Sequence, residues 1–176
     1  RSDIPIVFYA YMNPLLSRGF DKAIREGAEA GADGFLLLDL PVEESRPYRA
    51  SLKAQNVHAI QLITPTTPDE RMGKIVKQAS GFVYCVSREG VTGVQDRIAA
   101  GAGELVQRIK ARTSLPVAIG FGIGTPEQAG EAAQLADGVV VGSAIVKAFH
   151  EESHDATGRA RAAAFVGSLV RAVKEV

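Results

Sequence analysis

Two glycine-rich stretches carry the clearest chemistry in this chain. They are Gly120-Phe121-Gly122-Ile123-Gly124-Thr125-Pro126 and Val141-Gly142-Ser143-Ala144-Ile145. Each follows a short apolar run and precedes a helical pattern. Glycine lets a backbone approach a ligand closely, and a helix amino terminus offers unpaired N–H groups at a positive dipole end. Those are the parts of an anion site, with the Gly142 and Ser143 amides and the Ser143 hydroxyl as donors. Each stretch alone also reads as an ordinary tight turn, with Ser143 as a helix cap.

Three further places carry reactive or ligand-shaped side chains. Tyr84-Cys85-Val86-Ser87-Arg88-Glu89-Gly90-Val91-Thr92-Gly93 ends a strand and opens a long loop running to about Ala100, a usual position for an active-site lid. Asp39 closes the apolar run Phe35-Leu36-Leu37-Leu38, and Glu43 and Glu44 behind it suit the dipole of a following helix. Tyr9 and Tyr11 alternate along one strand and so share a face. Other candidates read blandly. Cys85 beside Tyr84 is expected to be a buried, inert thiol. His58 has no ligand-like neighbour. His150 and His154 sit among Glu151, Glu152, Ser153 and Asp155, which suits a solvated loop from His150 to Gly158 better than a metal site.

The elements that must position these groups alternate strand and helix. Apolar runs at Ile4 to Tyr11, Gly34 to Asp39, Ala59 to Thr64, Gly81 to Ser87, Pro116 to Phe121 and Gly138 to Gly142 read as six strands. Most are continuous, which predicts parallel strands buried on both faces under helices. Phe20, Ala23, Ile24, Gly27 and Ala28 form a helical stripe, as do Met72, Ile75, Val76 and Ala79. Ala162, Phe165, Val166, Leu169, Val170 and Val173 form another. Thr67-Pro68-Asp69-Glu70 and Thr125-Pro126-Glu127-Gln128 both read as capping boxes with proline at the first helical position.

Composition bounds the rest. The 176 residues carry 20 basic and 20 acidic side chains, 46% hydrophobic and 23% charged residues, so one globular domain is expected and disorder is not. Zero net charge gives no footprint for nucleic acid or an anionic membrane. No apolar run approaches the roughly 20 residues of a membrane helix. One cysteine excludes a disulfide framework or a zinc cluster and fits a cytoplasmic protein. Glycine-rich loops after two consecutive terminal strands are how (β/α)₈ barrels bind phosphate, after strands 7 and 8. The six strands are then expected to be strands 3–8 of a TIM barrel, residues 1–176 forming one partial domain with two βα units preceding Arg1.

Taken in order, Tyr11-Met12-Asn13-Pro14, Asp39-Leu40-Pro41-Val42-Glu43-Glu44-Ser45, Ser87-Arg88-Glu89-Gly90-Val91-Thr92-Gly93, Gly120-Phe121-Gly122-Ile123 and Gly142-Ser143-Ala144-Ile145-Val146 resemble the tryptophan synthase alpha chain family across nearly the whole chain. The resemblance implies a TIM-barrel lyase that cleaves indole-3-glycerol phosphate to indole and glyceraldehyde 3-phosphate. It implies phosphate contacts at Gly93, Phe121, Gly122, Gly142 and Ser143. It implies an indole pocket and lid at Tyr9, Tyr11, Leu36, Leu38, Leu62, Tyr84, Thr92, Phe121 and Val140, with Asp39 in a supporting role. The two catalytic acids of the family, a glutamate and an aspartate, are expected upstream of Arg1, so none is assigned here. No metal and no cofactor is expected on this chain. The implied partner is the beta chain of an alpha2-beta2 heterotetramer, which holds pyridoxal phosphate. Gly124 stands where the family often has serine, and Tyr9 where a smaller aliphatic is common. Two other readings stay open: another phosphate-ligand barrel, of the indole-glycerol phosphate or thiamine phosphate synthase type, and a non-catalytic phosphate-binding αβ domain.

Overall fold

A computed structural model describes residues 3–86, 101–120, 122–152 and 155–176. The element order is β1 (Val7–Ala10), α1 (Met12–Arg18), α2 (Phe20–Glu29), β2 (Gly34–Leu37), α3 (Arg46–Ala54), β3 (His58–Ile63), α4 (Asp69–Val76), β4 (Val83–Val86), α5 (Ala102–Lys110), β5 (Val117–Gly120), α6 (Pro126–Ala133), β6 (Gly138–Val140), α7 (Ser143–Glu152) and α8 (Ala156–Lys174). The chain divides into two compact units, residues 1–63 with 68–83, and 64–67 with 84–176.

In the first unit β1, β2 and β3 are parallel neighbours in chain order, with Val7 opposite Gly34, Tyr9 opposite Leu36, and Leu36 opposite Ile60. Side chains alternate across a strand, so this register sorts them into two faces. Phe35 and Ala59 go to the helix side, where they join Met12, Phe20, Ile24 and Leu52 in one buried cluster. The Phe8 ring stacks on Phe35 at 5.3 Å between centroids. Full burial of a side chain such as Ile24 or Phe35 is worth about 1.5–3 kcal/mol. The stripe at Phe20, Ala23 and Ile24 is the buried face of α2. Gly27 on that helix must lack a side chain, since a Cβ there would stand 2.8 Å from the Phe35 ring.

In the second unit β5 and β6 pair in parallel, Ala118 opposite Gly138 and Gly120 opposite Val140. Val117 and Ile119 of β5, Leu105, Val106 and Ile109 of α5 and Ala129 and Ala132 of α6 are all buried. Helix α8 packs on α6 and α7. It begins at a cap missing from the sequence reading: the Asp155 carboxylate accepts from Gly158 N–H at 2.7 Å.

One device starts three of the strands. The residue just before β2, Asp33, takes the Ile6 N–H on its carboxylate at 2.7 Å and returns its own N–H to the Ile6 carbonyl at 2.8 Å. Asp137 before β6 does the same to Val117, at 2.9 Å for both bonds. Ser80, ahead of β4, does so to Ala59 with its hydroxyl. Each clamp satisfies both polar groups of a neighbouring backbone residue, and those of Asp33 and Asp137 sit one residue before the first register pair of their strands.

Several expectations need correction. β1 is shorter than its apolar run at both ends, β2 and β6 stop two residues early, β4 and β5 start two and one residues late, and β3 is displaced by one residue toward the amino terminus. The run that contains β1 is not buried on both faces: Phe8 is 44% and Tyr9 60% exposed although they point to opposite sides, and Ile4 and Ile6 ahead of the strand are 74% and 50% exposed. Helix α1 follows directly on the first apolar run, in a stretch that shows no helical stripe in the sequence. The loop expected from His150 to Gly158 is largely helix, with α7 reaching Glu152 and α8 starting at Ala156. Val170 of the α8 stripe is 46% exposed. Thr67 does not cap α4. Its hydroxyl accepts from Thr64 N–H at 3.1 Å, and Pro68 stands at the cap position with no side-chain bond.

Candidate functional site

The second unit brings the two glycine-rich turns together. A Cβ built on Gly124 would lie 4.0 Å from the Ala144 Cβ, so the loop after β5 runs beside the first turn of α7. Gly122 has φ +78°, a left-handed conformation that glycine adopts without strain. Ile123 behind it is 4% exposed and anchors the loop.

The two helix amino termini differ in what they leave open. At α6 the Thr125 hydroxyl accepts from Gln128 N–H at 3.3 Å. The buried Gln128 amide oxygen accepts from Gly124 N–H at 2.8 Å. The Glu127 carboxyl is held below the usual glutamate range, first by its own backbone N–H and then by the Thr125 hydroxyl. The capping box expected there forms in altered form, since Gln128 reaches Gly124 rather than the cap residue. That end therefore spends its donors internally and carries a negative charge. At α7 the Gly142 carbonyl accepts from Ile145 and Val146, which makes Gly142 the cap. Gly142 and Ser143 are exposed, and among the described residues their N–H groups donate to no protein acceptor. The helix end of this unit that keeps unpaired donors is thus α7.

Gly120, Val140 and Tyr84 share one face of the second unit. Gly120 and Val140 are register partners, and the Tyr84 hydroxyl lies directly over Gly120. Tyr84 is 8% exposed. Cys85, on the opposite face, is fully buried, and burial pushes its thiol pKa up to about 12, so it stays protonated and inert.

In the first unit the register puts Tyr9, Leu36 and Ile60 on the face away from Phe35, joined by Leu62 two residues along β3. Leu38 continues the ladder, its N–H bonded to the Ala10 carbonyl at 3.0 Å. Ile60 went unnoticed in the sequence, although its alternation with Leu62 marks it. Tyr11 lies beyond β1 as the residue before α1, in extended backbone that preserves the alternation with Tyr9. Lost hydration, then the nearby Tyr11 phenol, holds the Tyr9 pKa above the usual tyrosine value. Both tyrosines are 60% exposed.

Asp39 acts on the backbone. Its carboxylate accepts from Met12 N–H, the first residue of α1, at 2.7 Å. Tyr11 gives that helix no side-chain cap, so Asp39 supplies the acceptor from the end of β2. Thr92, Gly93 and Phe121, with the loop from Ser87 to Ala100, lie outside the described residues, as does His154. Among the described residues no group of three or more His, Cys, Asp or Glu side chains is placed to hold a metal. No described helix is long and apolar enough to cross a membrane.

The sequence model of the tryptophan synthase alpha chain matches residues 1–174. The alpha chain of Opitutus terrae is 48% identical over 98% of this chain and 65% of its own length. That of Carboxydothermus hydrogenoformans is 42% identical with the same coverage. Among solved structures, Mycobacterium tuberculosis tryptophan synthase matches with a TM-score of 0.86 at 37% identity, over 96% of this chain and 62% of that one. The Legionella pneumophila alpha subunit matches with a TM-score of 0.82 at 32% identity, over the full chain and 65% of that one. The chain thus spans just under two thirds of the length of these relatives. With parallel βα units, an open glycine-capped helix beside a left-handed glycine, and a match running nearly end to end, the chain belongs to the tryptophan synthase alpha chain family.

Proposed function

We propose that residues 1–176 carry the substrate-binding part of an alpha chain that cleaves indole-3-glycerol phosphate to indole and glyceraldehyde 3-phosphate. The observation that supports it most is the open amino terminus of α7, with Gly142 and Ser143 as donors and Gly122 in the adjoining loop. Those groups suit a phosphate dianion, whose charge the helix end favours by about 0.3–1 kcal/mol. Gly93 and Phe121 join them by resemblance. The indole-lining roles fall by resemblance on Tyr9, Tyr11, Leu36, Leu38 and Leu62 of the first unit and on Tyr84, Thr92, Phe121 and Val140 of the second. Asp39 takes a positioning role through its bond to α1.

The six strands correspond in this reading to strands 3–8 of a (β/α)₈ barrel. No side chain here is assigned the role of either catalytic acid, so the segment binds ligand without turning it over. The site of action is the cytoplasm. The partner is a beta chain that holds pyridoxal phosphate, in an alpha2-beta2 assembly.

Indole-propanol phosphate, an unreactive analogue of the substrate, tests the reading by calorimetric titration. Saturable binding to the chain is expected, and Ser143→Asp should abolish it by placing a carboxylate at the anion end of α7. Binding that survives Ser143→Asp, or a preference for thiamine phosphate over the indole analogue, would overturn it.

A further inference from the structure

The first unit holds a cleft of about 300 Å³ where α3 runs into β3, and it shares no residue with Gly122, Gly142 or Ser143. Its wall is cationic and donor-rich, with Arg49, Lys53, His58 and Gln78, while Leu52 and Val57 supply an apolar floor. No carboxylate lines it. Among the described residues neither the Arg49 guanidinium nor the Lys53 ammonium has an acidic partner, although ion pairs are formed by Arg18, Lys22, Arg71 and Lys74 of the same unit. The Arg49 Nε–H is buried and has no acceptor. A buried donor left unpaired is unfavourable, and a charged one more so. Gln78 is held at the wall by a hydrogen bond with the buried Ser45 hydroxyl.

We propose that this cleft binds a small organic anion, its carboxylate or phosphate head on Arg49 and Lys53 and its apolar body on Leu52 and Val57. The guanidinium offers a planar fork matched to two anionic oxygens, and Lys53 adds a point charge. Leu52 is 3% and Val57 8% exposed, so the floor is fixed by the packing of the first unit's core. Nothing in this arrangement draws on the lyase reading, and the site stands or falls separately from it.

Titration of the whole chain with inorganic phosphate, phenyl phosphate and benzoate, followed by ¹⁵N NMR of backbone amides and arginine Nε–H groups, tests the assignment. Saturable shifts are expected at the Arg49 Nε–H and at the Val57 and Ala59 amides. Phenyl phosphate should bind more tightly than inorganic phosphate. A benzoate response at the same resonances would place carboxylates within the class, and its absence would overturn that half of it. Arg49→Met and, as a variant on an exposed position less able to disturb folding, Lys53→Met should each weaken binding by about tenfold or more, the scale of a charge-assisted bond. Shifts that stay linear, that appear only at Gly142 and Ser143, or that persist unchanged in both variants would overturn the site. Equal affinity for inorganic and phenyl phosphate would overturn the role of the apolar floor.

Discussion

Gly120→Ala adds one methyl group where the second unit has no room for it. A Cβ at that position would stand 2.2 Å from the Tyr84 hydroxyl oxygen, 2.7 Å from its Cζ and 3.0 Å from the Val140 Cβ. Carbon atoms rest at about 3.5–4.0 Å, so the ring falls about 1 Å short of ordinary contact. Tyr84 is 8% exposed and cannot swing into solvent at no cost, and Val140 is held in β6 by its pairing. Overpacking of this kind costs about 1–3 kcal/mol. Restricting the unfolded chain returns about 0.4–1 kcal/mol. The net loss is then about 1–2 kcal/mol, or about 2–8 °C in Tm at this chain length. Thermal and urea unfolding followed by circular dichroism would measure it. Tyr84→Phe in the Gly120→Ala background removes the nearest atom but leaves the ring carbon, so it should restore part of the loss. A double-mutant cycle isolates that pair. Unchanged stability in Gly120→Ala, or no coupling between positions 84 and 120, would refute the close approach. Gly124→Ser is the control, because a Cβ there meets its nearest neighbours at 3.8 and 4.0 Å and should be tolerated.

Three further outcomes follow from single contacts. Asp39→Ala should cost about 0.5–2 kcal/mol in urea unfolding by stranding the Met12 N–H, whereas Asp39→Asn, which keeps an acceptor, should cost less. Lys110, then the Val117 N–H, holds the Asp137 carboxyl below the ordinary aspartate value of 3.8. A depressed folded pKa gives stability that is present above the unfolded value and lost as pH falls through the folded one. Acid titration should therefore show a decline below about pH 4 that Asp137→Asn removes. The buried Cys85 thiol, with its pKa near 12, should resist a thiol reagent at pH 8 in the native protein and react fully in denaturant.

The strands were legible because continuous apolar runs survive any ambiguity of period, whereas Leu36, Leu38 and Leu62 were picked out only by the family resemblance and not by the pattern of their own strands. Their ends were not, since a ladder stops where a partner residue is lacking, and that depends on the neighbour strand. Helix α1 escaped because its seven residues bury only Met12, too few for a stripe. Thr67 and Thr125 show the limit of local pattern most clearly. Both open a Thr-Pro-acid sequence, yet only Thr125 caps its helix, because the Thr67 hydroxyl is already engaged with Thr64. The pattern states which bond is available, and the preceding turn decides whether the oxygen is free to make it. β1 misled for another reason: its residues have the composition of a covered strand, but exposure depends on what lies across its faces and not on its own side chains.

The unequal ends of α6 and α7 bear on where this unit could meet an anion. Both helices start after glycine-rich turns at adjacent strands, and by dipole alone they would compete for the same anion. Gly124, Thr125, Glu127 and Gln128 remove α6 from that competition, since their own bonds consume its first donors and Glu127 adds a charge that repels an anion. Gly142 and Ser143 of α7 keep theirs, and the Gly122 turn is held nearby by buried Ile123. An anion meeting these two turns would therefore find free backbone donors at one helix and not at the other. The selectivity does not come from the glycine content of the turns, which is similar. It comes from Gln128, a buried amide four residues past Gly124, which converts one of two matching turns into a closed structural joint while the other keeps its donors free.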